Sequence, residues 1–238
     1  MFEHLSKEFC GTLSVFIALV AYGIYAWQTL SGQIRPHPLS WIIFAILTGT
    51  GFWIQLDERA GPGSWVMGVT AAISFLLCIL SVWRGERKFP WYEWAFLIAS
   101  AFVFLFYVFS KEPAAAVEVI VAMTALLGYK LEASVGLTGA FLEVLKRDGP
   151  AISAILATLV DVVGYGPTIT KAWSRPYTDS VSSFALNSLK FIPSLFAMEL
   201  ISVATCVYPA TLVVVNAAVA FLLIWRRHQL SNATPGPG

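Results

Sequence analysis

Apolar runs of about twenty residues recur from one end of this 238-residue chain to the other, broken by short clusters of proline, glycine and charge. Each helical residue adds about 1.5 Å, so about 20 residues cross a hydrocarbon core about 30 Å thick. Seven runs reach that scale, at about 10–30, 39–56, 64–83, 91–110, 151–173, 181–207 and 209–226. Pro36 and Pro38, the stretch from Asp57 to Gly63, the charged run from Arg84 to Lys88, and Arg175-Pro176 mark the breaks. Pro209 reads as a first-turn proline opening the last run. Backbone groups in lipid must be satisfied within their own segment, so all seven are expected to be helices.

Composition excludes the alternatives. The chain is 58% hydrophobic and 12% charged, where a soluble domain carries about 25% charged residues. A net charge of +1 gives no electrostatic footprint for a nucleic acid. Cys10, Cys78 and Cys206 sit in apolar runs without close spacing, and His4, His37 and His228 lie in separate segments. Neither set suggests a disulfide framework, a metal site or a cofactor. No phosphate loop, nucleophile elbow or HExxH motif is present, so no enzyme is expected.

The segment 114–150 is ambiguous. Ala114 to Tyr129 is apolar but short and contains Glu118; Leu131 to Asp148 carries Glu132, Glu143, Lys146 and Arg147 at helix-like spacing. It lies in the interface or forms a hairpin. Lysine and arginine collect on the cytoplasmic face of a membrane protein. With seven spans, Arg35, Arg84, Arg87, Lys88, Lys171, Arg175, Arg226 and Arg227 share one face. That places the N-terminus outside and the C-terminus in the cytoplasm, and one extra crossing would divide the set. We therefore favour no extra crossing, with 114–150 on the outer face.

The chain also repeats itself. A gapless shift of 143 residues aligns Tyr22-Gly23 with Tyr165-Gly166, Ser40-Trp41 with Ser183-Phe184, Trp53 with Phe196, and Trp65 with Tyr208. The expected units are a three-helix repeat at 10–83, a linker helix at 91–110, a second three-helix repeat at 151–226, and a disordered tail at 227–238. A single linker crossing makes the two repeats parallel. Transporters are often built this way, with the solute site at the midplane between repeats.

This three-plus-one-plus-three plan resembles the PQ-loop superfamily, which includes the SWEET sugar facilitators, nicotinamide riboside transporters and the lysosomal cystine carrier. The resemblance is carried by Gly164-Tyr165-Gly166-Pro167-Thr168, followed by Lys171, Arg175 and Ser180-Val181-Ser182-Ser183. A weaker first copy runs from Tyr22-Gly23-Ile24-Tyr25 through Gly32, Pro36 and Pro38 to Ser40-Trp41. Pro167-Thr168 stands where the family has Pro-Gln, and 114–150 is an addition to its seven-helix core. The chain is nearest in plan to bacterial members, which implies an inner-membrane transporter.

Polar residues within the runs are the candidate site. A charge at the bilayer centre costs about 2.5–3.5 kcal/mol on insertion scales, so it faces the bundle interior. Asp161 and Lys190 each lie about ten residues into antiparallel consecutive runs, at similar depth. An ion pair between them would bind a zwitterionic or anionic solute, let Asp161 take a proton, or simply pin two helices. Asn216 lies at mid-depth in the last run, where the SWEET resemblance implies a solute contact. Asn187 is one turn before Lys190. Trp53, deeper than the other tryptophans, is a candidate stacking surface. Pro167 and Pro193 are candidate hinges. Gln55 and Glu199 read as interfacial, and Trp41 as one of the membrane-surface anchors.

The expected function is therefore alternating-access transport of a small polar solute (sugar, amino acid or vitamin-like), by facilitated diffusion or proton coupling. The lipid bilayer is the other partner, and a homo-oligomer is compatible with the plan. A non-transporting receptor on the same scaffold is the alternative, motivated by 114–150.

Overall fold

The computed structural model describes residues 2–34, 36–84, 91–112 and 135–233. The described residues form helices and connecting turns only. They are α1 (Phe2–Leu30), α2 (Pro38–Asp57), α3 (Trp65–Arg84), α4 (Trp91–Lys111), α5 (Val135–Gly164), α6 (Gly166–Ser174), α7 (Val181–Phe196) and α8 (Val203–Ala233). Short 3-10 turns precede α3 and α7. Six segments are long and apolar enough to cross a membrane: Ser6–Leu30, Pro38–Asp57, Gly61–Arg84, Trp91–Lys111, Glu143–Ser174 and Val203–Ser231.

The bundle exposes large apolar side chains and buries polar ones beside its apolar core. Phe16, Leu76, Ile98, Phe102, Val163, Val214 and Phe221 are all exposed, while Ser14, Thr48, Thr70, Ser74, Ser100, Ser153, Asp161, Lys190 and Asn216 are buried. In water that inversion would be strongly unfavourable; in lipid the acyl chains solvate the apolar exterior and buried hydroxyls bond back into their own helices. Ser14 donates to the Cys10 carbonyl at 3.0 Å and Thr158 to the Ala154 carbonyl at 2.7 Å. The chain is an integral membrane protein.

Helix packing follows a paired pattern. In the first half, α3 packs against both α1 and α2; in the second, α8 packs against both α5 and α7. Across the halves, α1 packs on α7 and α2 on α5, and more lightly α2 on α8 and α3 on α7. Helix α4 lies against α2 and α5. It is tied to α2 at both ends, by His37 with Glu93 at 2.8 Å and by Asp57 with Lys111 and the Tyr107 hydroxyl.

Four sequence expectations need correction. The run 181–207 is not one helix: α7 stops at Phe196, three residues after Pro193, and the chain turns before α8 starts at Val203. Continuous apolarity hid that break. Pro209 accordingly sits inside α8 rather than in its first turn. Third, the helix containing 151–164 begins at Val135 and passes through Pro150, so 135–150 is helix continuous with the span; 114–134 lie outside the described residues. Fourth, α8 continues through 227–233 instead of fraying. The Arg227 guanidinium donates to the Pro176 and Asp179 carbonyls at 3.0 and 2.6 Å, and the Tyr177 hydroxyl donates to the Arg227 carbonyl at 3.2 Å. Residues 234–238 lie outside the described set.

Candidate functional site

The two ends of the bundle differ. At one end lie the last turns of α1, α5 and α8 together with Lys171, Arg175, Arg226 and Arg227. There a cavity of about 550 Å³ opens between the halves, walled by Tyr25, Gln28 and Gln33 on one side and by Thr168, Ser180 and Ser183 on the other. At the opposite end the halves are sealed. Ser194 Oγ donates to the Gly63 carbonyl at 2.9 Å, the Glu199 N–H donates to the Ala60 carbonyl at 2.9 Å, and Gln55 Nε2 donates to the Thr205 carbonyl at 2.8 Å. Glycine makes the seal close-packed. A Cβ on Gly63 would stand 2.8 Å from the Ser194 carbonyl oxygen, and Gly61, at φ +65°, lies against the Glu199 side chain.

The large cavity narrows into an inner polar pocket of about 70 Å³ near mid-depth, sharing Tyr22, Trp41, Phe44, Tyr165, Asn187 and Asn216 with it. Asp161, Lys190, Thr48, Thr70 and Ser74 complete the pocket's polar lining. Four of the residues singled out from sequence, Asp161, Lys190, Asn187 and Asn216, therefore meet in one place, drawn from α5, α7 and α8.

The expected ion pair is not formed. Lys190, 1% exposed, donates instead to the Tyr22 hydroxyl at 2.7 Å and to Thr70 Oγ1 at 3.2 Å. Its ammonium also lies 4.3 Å from the Tyr22 ring centroid and 4.8 Å from that of Phe191, within cation–π range. Two elements of the first half, α1 and α3, thus hold a cation carried by the second. Asp161, 4% exposed, keeps one oxygen, Oδ1, without a hydrogen-bond partner in the protein; the Ser74 hydroxyl and Asn187 Oδ1 are in the same state. A buried polar group left unmatched costs about 1–3 kcal/mol, more when charged. Such groups facing a cavity are poised for a polar guest.

Asn216 is held more firmly: its Nδ2 donates to the Leu212 carbonyl at 2.8 Å and its Oδ1 accepts from the Tyr165 hydroxyl at 3.2 Å. Tyr22 and Tyr165 both line this pocket.

Other candidates lie elsewhere. Trp53 is 55% exposed on the outer surface and lines no part of this pocket or of the cavity above it. Trp41, expected as a membrane-surface anchor, instead lines both the pocket and the cavity: 9% exposed, it packs edge-on against Tyr22, Tyr25 and Phe44. Gln55 is buried in the seal rather than at an interface. Pro167 begins the short α6 after a break at Tyr165, whereas Pro193 lies inside α7 near its end. Sequence reading missed Tyr22, Thr70 and Ser74 because none carries charge. The one available signal was that Tyr22 anchors the repeat. Among the described residues no group of three or more His, Cys, Asp or Glu side chains is arranged to hold a metal ion.

No family model matches the chain, and neither a curated protein nor a solved structure matches it.

Proposed function

We propose that the chain is a membrane transporter for a small polar solute (sugar, amino acid or vitamin-like), working by alternating access on a PQ-loop, SWEET-like plan. The observation that carries this reading is the polar pocket at mid-depth, open through a wide cavity to one end and sealed at the other. A transporter caught between turnovers has that form: the solute site communicates with one side at a time.

Several features support the finer parts of the reading. The packing pairs α1·α3 with α5·α8, α2·α3 with α7·α8, and α1·α7 with α5·α2, as two parallel three-helix halves related by a two-fold axis would give. Helix α4 is then the linker and α7 the seventh crossing. At 16 residues, α7 spans about 24 Å, and the turn at 197–202 completes its reach. Lys171 lines the open cavity, and Arg175, Arg226 and Arg227 lie at the same end of the bundle, so by the positive-inside rule the cavity faces the cytoplasm and the N-terminus lies outside. A bacterial inner membrane suits the resemblance. Tyr22, Asp161, Asn187, Lys190 and Asn216 bind the solute in this reading, and the break at Tyr165–Pro167 together with Pro193 lets the halves rock. A protonatable carboxylate at Asp161 would make coupling to a proton available.

The test begins with thermal unfolding of the purified protein against sugars, amino acids, nucleosides and vitamins. A ligand that binds only the folded state raises its apparent stability. Uptake of any hit into proteoliposomes is then compared for wild type, Asp161→Asn and Lys190→Met. Loss of flux in both variants supports the site, and unchanged flux in both removes it. If the hit binds but no flux is seen at any gradient, the receptor reading replaces this one.

A further inference from the structure

Asp161 borders two cavities, the inner pocket and a lateral one. The lateral cavity, of about 180 Å³, lies between α2, α4 and α5, with Thr168 of α6 at its edge. Ser40, Tyr92 and Glu93 line the part nearest the helix ends; Ile43, Phe96 and Val160 line the deeper part, which reaches Asp161. Phe44 borders this cavity, the inner pocket and the large cavity alike, and Gly164 and Thr168 border both the lateral and the large cavity.

The chemistry of the two spaces differs. The inner pocket presents Lys190, Asn187 and Asn216, side chains suited to a polar solute. In the lateral cavity the deeper lining is aliphatic and aromatic, with a carboxylate at each extreme. It has room for several water molecules, each occupying about 30 Å³ of liquid volume, and its apolar depth offers a sugar or amino acid few hydrogen bonds. At the outer carboxylate, Glu93 is engaged by His37 at 2.8 Å. Around the inner carboxylate, the titratable and charged groups are Tyr22 from α1, Tyr165 from α5, Lys190 from α7 and Tyr208 from α8, while α3 contributes the uncharged Thr70 and Ser74. A path through the solute cavity passes Lys190 and both tyrosines; a path through the lateral cavity meets Tyr92 and Glu93 with its histidine.

We propose that the lateral cavity is a second water and proton route to Asp161, with the Glu93–His37 pair at its mouth and Phe44 bordering both it and the inner pocket. A carboxylate reached this way exchanges its proton without passage through the inner pocket, even when a solute fills that pocket. The proposal rests on the reading of Asp161 as the functional carboxylate of the site, but its test needs no solute.

The full chain in lipid nanodiscs is followed by infrared spectroscopy, the Asp161 carboxyl band being assigned by its loss in Asp161→Asn. The rate at which that band appears after a downward pH jump is then measured with each route closed. A bulky maleimide on Asn187→Cys, with Cys10, Cys78 and Cys206 replaced by alanine, plugs the solute cavity. Ser40→Trp plugs the lateral mouth; Val160→Phe fills its depth and serves if Ser40→Trp does not fold. The label should leave the rate within twofold, while Ser40→Trp, Val160→Phe and Glu93→Gln each slow it at least tenfold. Slowing by the label, or no slowing by any lateral closure, overturns the proposal. A band that never titrates removes the proton route but leaves the solute site standing, since solute binding is read separately by thermal unfolding.

Discussion

The Lys190 ammonium sits 2.7 Å from the Tyr22 hydroxyl, so the buried cation of one half is held by a phenol of the other. The phenol of Tyr165 behaves differently, since it donates to Asn216 of α8. Two phenols of one pocket therefore do unequal work: one joins α1 to α7, and the other joins the end of α5 to α8. Any rocking of the halves must loosen the Tyr22–Lys190 contact or carry it along.

Removing the Tyr22 hydroxyl should accordingly cost more than removing that of Tyr165. A hydrogen bond to a charged group contributes about 1.5–3 kcal/mol, whereas neutral interhelical bonds in lipid average about 0.6 kcal/mol. Tyr22→Phe is expected to lower the unfolding free energy of the purified protein by about 1.5 kcal/mol or more, and Tyr165→Phe by under about 1 kcal/mol. Equal losses in chemical unfolding would show that Lys190 does not depend on Tyr22.

Asp161 and Lys190 are an acid and a base in one buried pocket even though they make no ion pair. Taking away Lys190 leaves Asp161 as an uncompensated buried charge, and such a change costs about 3 kcal/mol or more. Lys190→Met should thus be severely destabilised, while the double variant Lys190→Met/Asp161→Asn recovers at least half of the loss. A double-mutant cycle on unfolding free energy measures this directly. Additive effects would mean that the two groups do not sense each other.

The two tryptophans of α2 should separate cleanly. Trp41 is buried among aromatic rings at the cavity wall, and truncating a buried tryptophan costs about 3–5 kcal/mol. Trp53 faces outward, where alanine replaces one lipid contact by another. Trp41→Ala is expected to abolish binding of any solute found by thermal shift and to unfold at lower temperature. Trp53→Ala should match wild type in both measurements. Loss of binding on Trp53→Ala alone would place the site elsewhere.

How much of this was legible in the sequence depends on where polarity varies along it. The spans up to Lys111 were visible because charge and proline punctuate them. The break between α7 and α8 was not, because Pro193 and Glu199 are isolated signals in an otherwise apolar stretch, and in lipid no amphipathic period betrays an end. Asp161 and Lys190 stood out as charges against an apolar background, and their shared pocket follows from equal depth on antiparallel helices. Their actual partners did not stand out. Tyr22 and Thr70 look like ordinary membrane residues until α1, α3 and α7 are brought together. Trp41 and Trp53 were misassigned for a related reason: distance from a helix end reports depth, while the choice between lipid and cavity is set by rotation about the helix axis. Gln55 illustrates the same limit, since a glutamine two residues from Asp57 reads as wet unless Thr205 is known to cover it.

The sealed end is the part of the fold most exposed to a single substitution. Gly63 lies in the turn before α3, and a Cβ there would come within 2.6 Å of the Met198 sulfur and 2.8 Å of the Ser194 carbonyl oxygen. The sulfur can swing aside but the carbonyl cannot without moving the end of α7. Gly63→Val should therefore break the 2.9 Å bond from Ser194 Oγ to the Gly63 carbonyl and shift the protein toward a state open at this end. The measurement is the reactivity of Ser194→Cys, in a chain otherwise free of cysteine, toward a membrane-impermeant thiol reagent added from the side of the sealed end. With Gly63 present the thiol should react slowly, because Ser194 is fully buried. With Gly63→Val the rate should rise at least tenfold, while labelling of Asn187→Cys from the opposite side falls. A rise at Ser194→Cys without that fall would mean the seal had merely been damaged, and the two ends would then not be alternately open.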